Sequence, residues 1–104
     1  MRAIINAVRY DTDKAIKLGN ARGGMPGDVR AYDETLYRTP DARRYFIAGW
    51  GGAKTRWAER TGDNMWSDGR SILPLSEKEA LDWAEKHLSP DAIDVEFSHL
   101  IDEA

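Results

Sequence analysis

The sequence of 104 residues predicts an α+β fold: a small antiparallel sheet of about four strands with two C-terminal helices packed on one face. Two features of the chain carry that expectation. Segments rich in branched and aromatic residues come first, separated by short turn-forming clusters, and helical periodicity becomes clear only after Ser76. With 41% hydrophobic residues, the chain has material for one modest core, so residues 1–104 are expected to form a single domain.

The elements follow in order. Arg2-Ala-Ile-Ile-Asn-Ala-Val-Arg-Tyr10 reads as one strand, ended by the turn-prone Asp11-Thr-Asp13. Ala15–Gly19, with Ile16 and Leu18 at a spacing of two, reads as a short second strand. Asn20–Asp28 holds three glycines and one proline and reads as a surface loop. Tyr32–Thr39 and Arg44–Gly49 are expected to pair across Pro40-Asp41-Ala42-Arg43, because Pro presets φ and Asp bonds its own backbone. After Gly49-Trp-Gly-Gly52, Ala53–Arg60 is expected to form two helical turns. Ala53, Trp57 and Ala58 would face inward, Lys54, Arg56 and Arg60 would face water, and Gly62-Asp63-Asn64 would stop the helix.

Arg70–Leu75 reads as the last strand, confined by Pro74 to an edge or an ending. Ser76-Glu-Lys-Glu79 is a capping box opening a helix whose Ala80, Leu81, Trp83, Ala84, His87 and Leu88 form a stripe. Ser89-Pro90-Asp91 starts a second helix, since Ser caps well and Pro suits the first helical position. Its Ile93, Phe97, Leu100 and Ile101 recur at i, i+4, i+7 and i+8, which turns one face toward the core.

Composition removes whole classes of chemistry. Without cysteine there are no disulfides, no thiolate nucleophile and no thiolate metal site. Gly49-Trp-Gly-Gly-Ala-Lys-Thr55 ends like a phosphate loop, but alanine (Ala48, Ala53) occupies both required glycine positions. His87 and His99 stand twelve residues apart without an i+4 partner, and His87 near a helix end is explained by the dipole. No serine or threonine sits in a nucleophile motif, and no carboxylate pair is marked for acid–base work. A non-enzymatic protein without cofactor or metal is expected. No apolar run approaches a membrane span, and the quickly interrupted start is unlike a signal peptide, so a cytoplasmic location is expected.

The net charge of −3 conceals an asymmetry. Residues 1–70 carry 13 Lys/Arg against 9 Asp/Glu, whereas residues 71–104 carry 2 against 9. Two binding surfaces follow from it. One is an Arg/aromatic sheet face suited to nucleic acid, built from Arg22, Arg30, Arg38, Arg43, Arg44, Lys54, Arg56, Arg60 and Arg70 with Tyr32, Tyr37, Tyr45, Trp50, Trp57 and Trp66. An acidic pI of 5.3 and the core's own need for aromatics speak against it. The other is the acidic C-terminal third, where Glu77, Glu79, Asp82, Glu85, Asp91, Asp94 and Glu96 would present carboxylates to a basic groove that otherwise holds nucleic acid. Part of this charge has a simpler explanation, because acids in first turns suit the helix dipole and Asp82–Lys86 is an ordinary i,i+4 pair.

Four stretches together resemble a family of small proteins carried by phages and other mobile elements. They are Tyr10-Asp-Thr-Asp-Lys-Ala15, Glu34-Thr-Leu-Tyr-Arg-Thr39, Tyr45-Phe-Ile-Ala-Gly-Trp-Gly-Gly-Ala53, and Trp66 through Leu88 with its Leu75-Ser-Glu-Lys-Glu-Ala80 strand-to-helix junction. The likeness covers most of residues 10–88, while the segment 20–30 departs from it. The family is similar to a set that includes an anti-CRISPR protein acting on type I-C systems. That resemblance implies an inhibitor that binds the DNA-binding subunit of an RNA-guided surveillance complex, with no catalytic residues. The acidic surface is the expected point of contact, with no direct nucleic acid and no membrane involved. A generic interaction module of a mobile element, docking through the Arg/aromatic sheet, is the alternative.

Overall fold

The computed structural model describes residues 1–41 and 43–104 and has the expected α+β architecture. The chain opens with a hairpin, β1 (Arg2–Ile5) and β2 (Val8–Asp11), where one strand was expected over 2–10. Asn6 and Ala7 join the two strands at φ 51° and 63°, the left-handed pair of a two-residue hairpin turn. Alanine gives no sign of that conformation, which is why the turn is invisible in the sequence.

β3 (Ile16–Gly23), β4 (Tyr32–Arg38) and β5 (Tyr45–Gly51) follow, then a small hairpin of β6 (Glu59–Gly62) and β7 (Met65–Ser67), then β8 (Gly69–Leu75). The main sheet is antiparallel in the order β3-β4-β5-β8. The expected β4–β5 hairpin is present, in register from Tyr32↔Gly51 to Arg38↔Tyr45, and the Ala42 of its turn lies outside the described residues. β3 runs on through Gly23, correcting the loop expected from Asn20: residues 20–23 pair with Tyr32–Thr35, and the ladder outweighs the poor strand propensity of glycine. β8 is an edge strand, and its Pro74 lies opposite Phe46.

Alternation along the central strand β5 divides the core into two layers. Tyr45 and Ile47 join Leu36, Trp57, Ala80, Trp83, Ala84 and Phe97 on the helix side. Phe46 and Ala48 join Tyr10 and Ile72 on the other side, beneath the β1–β2 hairpin. Tyr45, Phe46, Phe97, Leu36 and Ile47 are fully buried. Side chains of this kind contribute about 1.5–3 kcal/mol each on burial.

The helices are α1 (Glu77–His87) and α2 (Pro90–Phe97). The capping box forms as expected: the Glu79 N–H donates to Ser76 Oγ at 3.1 Å and the Ser76 N–H donates to Glu79 Oε1 at 2.8 Å. Ser89 caps α2, accepting from the Ala92 N–H at 3.2 Å. The stripe of α2 stops short of its expected length. The backbone tightens into a 3-10 turn at Ser98–Leu100, the helical phase is lost, and Leu100 and Ile101 remain exposed.

No helix forms over 53–60. Residues 53–57 make a series of turns that lie flat on the helix-side face of the sheet, and β6 begins at Glu59. Glycines make room for this strap. A Cβ on Gly49 would stand 2.5 Å from the Trp57 indole, and Gly51 and Gly69 are likewise covered by Thr55 and the Trp57 carbonyl. Trp57 is buried and Lys54, Arg56 and Arg60 are exposed, as expected, but the strap and not a helix produces that pattern. Gly62 and Asn64 accordingly serve the β6–β7 turn, with Asn64 at φ 57°.

Candidate functional site

Two arginine-paired glutamates, Glu34 and Glu96, organise the molecule and decide which charges are free. Glu34, on β4 and 5% exposed, receives four hydrogen bonds. Arg56 donates through Nη2 to Oε1 at 2.7 Å and through Nε to Oε2 at 3.2 Å. The Trp83 indole donates to Oε1 at 2.8 Å and the Trp57 indole to Oε2 at 2.9 Å. Burial pushes the Glu34 pKa up, but the hydrogen bonds from Arg56, Trp83 and Trp57 outweigh it and hold the carboxyl below its ordinary value. One carboxylate therefore ties strap, sheet and α1 together.

Glu96 overturns one of the sequence expectations. Its side chain is only 10% exposed and points back to the sheet, with Oε2 2.8 Å from Arg38 Nε and 3.4 Å from Arg43 Nη2. The Arg38 contact is an ion pair without hydrogen-bond alignment. Tyr45 completes the cluster by donating its hydroxyl to Glu96 Oε2 at 2.8 Å. Burial, followed by the neighbouring Glu96 carboxylate, pushes the Tyr45 pKa up to about 12. Glu96 is thus a neutralised internal anchor for α2 and is not part of an acidic docking surface.

The remaining acids of the C-terminal third divide. Glu77 lies 2.9 Å from His99 Nε2, and Glu79 is occupied by the Ser76 cap. The backbone and hydroxyl of Ser76 hold the Glu79 pKa below its ordinary value. Asp82 is exposed, and the Asp82–Lys86 pair expected from spacing does not form an ion contact. Asp82 and Glu79 share a cleft of about 380 Å³ with Lys86, His87 and Arg56. Asp91 is exposed in the first turn of α2. Glu85 and Asp94 line a different groove, of about 610 Å³, with Asp102. The rest of that groove is apolar: Leu81, Leu88, Pro90, Ile93, Leu100 and Ile101. Glu79, Asp82 and Glu85 turn by roughly 60° from one to the next around α1, so they do not form a straight row.

The same packing splits the Arg/aromatic set: Arg30, Tyr32, Lys54, Arg56 and Trp57 line one cleft beside the strap, and the other members do not join them there. Arg38, Arg43 and Arg56 are committed to Glu96 and Glu34. Tyr37 stacks on Phe46 with ring centres 5.2 Å apart, while Tyr45 and Trp57 lie in the core. Trp50 and Trp66 stay exposed, on separate sheets. The histidines go separate ways, His87 against the Trp83 ring and His99 beside Glu77. Sequence reasoning missed Glu34 altogether. One of two adjacent acids in Tyr32-Asp-Glu-Thr-Leu-Tyr37, Glu34 has no periodic signature that sets it apart from Asp33, and its donors lie 22 to 49 residues away.

No family model, curated protein or solved structure matches the chain. Among the described residues, no helix is long and apolar enough to cross a membrane.

Proposed function

We propose that this chain is a non-enzymatic inhibitor of the anti-CRISPR kind, which binds the DNA-binding subunit of a type I surveillance complex and blocks target DNA. Contact is made through the helical layer. The observation that carries this reading is the groove between α1, α2 and the C-terminal segment, where an apolar lining meets Glu85, Asp94 and Asp102 and no Lys or Arg. Apolar surface supplies binding energy, while a one-sign set of charges steers a basic partner and rejects others. Asp82 and Asp91, exposed and outside any ion pair among the described residues, extend the negative field. Since the acids spiral around α1, they would displace nucleic acid by field and occupancy and not by matching phosphates one for one.

Co-purification with a tagged surveillance complex tests the reading. The variant Glu85→Lys/Asp94→Lys leaves the cap and the arginine-paired glutamates intact, so its thermal midpoint should match that of the parent. Its capture by the complex should be lost, and DNA binding by the complex restored. Undiminished capture of this variant would reject the groove as the contact.

A further inference from the structure

A second cleft, of about 340 Å³, opens beside the strap and shares no lining residue with the helical groove. Arg30, Lys54 and Arg56 all line it. Its one carboxylate, Glu34, is saturated by four hydrogen bonds and fully engaged with Arg56. Arg30 and Lys54 are exposed and have no ion-pair partner among the described residues. Two uncompensated cations thus converge on a concave site in a chain whose net charge is −3.

Arg56 makes the site rigid. Its guanidinium is held through Nε and Nη2 by Glu34 and lies 5.2 Å from the centre of the Trp57 ring. Nη1 makes no hydrogen bond among the described residues, so its donors remain available in a fixed orientation. A guanidinium oriented by a buried carboxylate and flanked by two exposed cations is suited to a tetrahedral oxyanion, which accepts several charge-assisted hydrogen bonds at once. Tyr32 adds a half-buried aromatic wall. The volume is sufficient for a phosphate with an attached sugar or base.

We infer that this cleft binds a phosphate group, carried either by a mononucleotide or by a single-stranded polynucleotide. The inference goes beyond the docking proposed for the helices and does not depend on it. The net negative charge opposes long-range attraction, so binding should be measured at low ionic strength.

The full chain is titrated with inorganic phosphate and deoxyadenosine monophosphate by calorimetry, and with a labelled oligodeoxythymidine by fluorescence anisotropy. Saturable binding of at least one probe is expected, weakened on the order of tenfold in Arg30→Glu/Lys54→Glu. Arg30→Gln/Lys54→Gln should show a smaller loss, and Arg9→Glu on the distant hairpin none. Both substituted side chains are exposed, so an unchanged urea midpoint confirms that the fold is retained. Mononucleotide binding as tight as that of the oligomer assigns the site to free nucleotides; binding of the oligomer alone assigns it to a strand, with a salt slope that falls by about 0.7 per lost contact. Failure of all three probes to saturate, or equal binding by the charge-reversed variant, overturns the inference.

Discussion

Replacing Glu34 with Gln removes one charge and one acceptor from the point where strap, sheet and helix meet, while keeping the side chain's shape. Each carboxylate oxygen accepts one Arg56 N–H and one buried indole N–H, Trp83 on Oε1 and Trp57 on Oε2. An amide offers one oxygen and one NH₂, so in either orientation an indole N–H faces another donor. Leaving it unpaired costs about 1–3 kcal/mol. Arg56 is about half exposed and regains water, so its lost ion pair adds only about 0–1 kcal/mol. Together these give an expected destabilisation of about 1–4 kcal/mol, centred on about 2.5 kcal/mol. With a urea m-value of roughly 1–2 kcal/mol per molar, the central value corresponds to a midpoint fall of about 1–2.5 M.

The assay is urea unfolding followed by tryptophan fluorescence, repeated from neutral to acidic pH. Because folding lowers the Glu34 pKa from its ordinary value of 4.5, the parent has the full stabilisation from this group above that pH. It loses that contribution as the pH falls through the folded-state value. The Gln variant should therefore show a flatter acid limb. A loss below about 0.5 kcal/mol at neutral pH would show that the buried donors find other partners. An acid limb as steep as the parent's would show that Glu34 does not drive the transition.

Two further outcomes concern the backbone. Ala7 sits at φ 63°, a conformation that costs an L-residue about 1–2 kcal/mol, so Ala7→Gly should raise the thermal midpoint by a few °C despite glycine's greater unfolded-state entropy. A Cβ at Gly49 would press on the Trp57 indole, so Gly49→Ala should destabilise by roughly 1–3 kcal/mol. It should also speed tryptic cleavage after Lys54 and Arg56 as the strap lifts, which limited proteolysis measures directly.

Elements with a short-range chemical signal were legible in the chain. The Ser76–Glu79 capping box, the Ser89-Pro90 start, the Tyr32–Gly51 hairpin and the edge strand with Pro74 appear where the residues indicate. Ala53–Arg60 was misleading because its helical character is local, whereas packing across Gly49, Gly51 and Gly69 favours a flat strap. In retrospect, glycines at alternate positions of β5 are the signal, since they strip one face of the strand and some other segment must cover it. Of the seven acids expected to face a partner, Asp82, Glu85, Asp91 and Asp94 are exposed and outside any ion pair among the described residues. Glu77 and Glu79 are engaged locally, and Glu96 is turned inward by Arg38, Arg43 and Tyr45.

By itself the sequence determined the α+β order of elements, the helix starts and the concentration of negative charge after residue 70. These depend on propensity, caps and periodicity, which act over a few neighbouring residues. Only the tertiary structure decided which charges remain free. An ion pair forms between residues that the fold brings within about 4 Å regardless of their separation along the chain, and burial fixes its worth. Glu34 and Glu96 thereby became internal anchors, Glu85 and Asp94 were left on an apolar groove, and Arg30 and Lys54 were gathered beside a guanidinium already held in place.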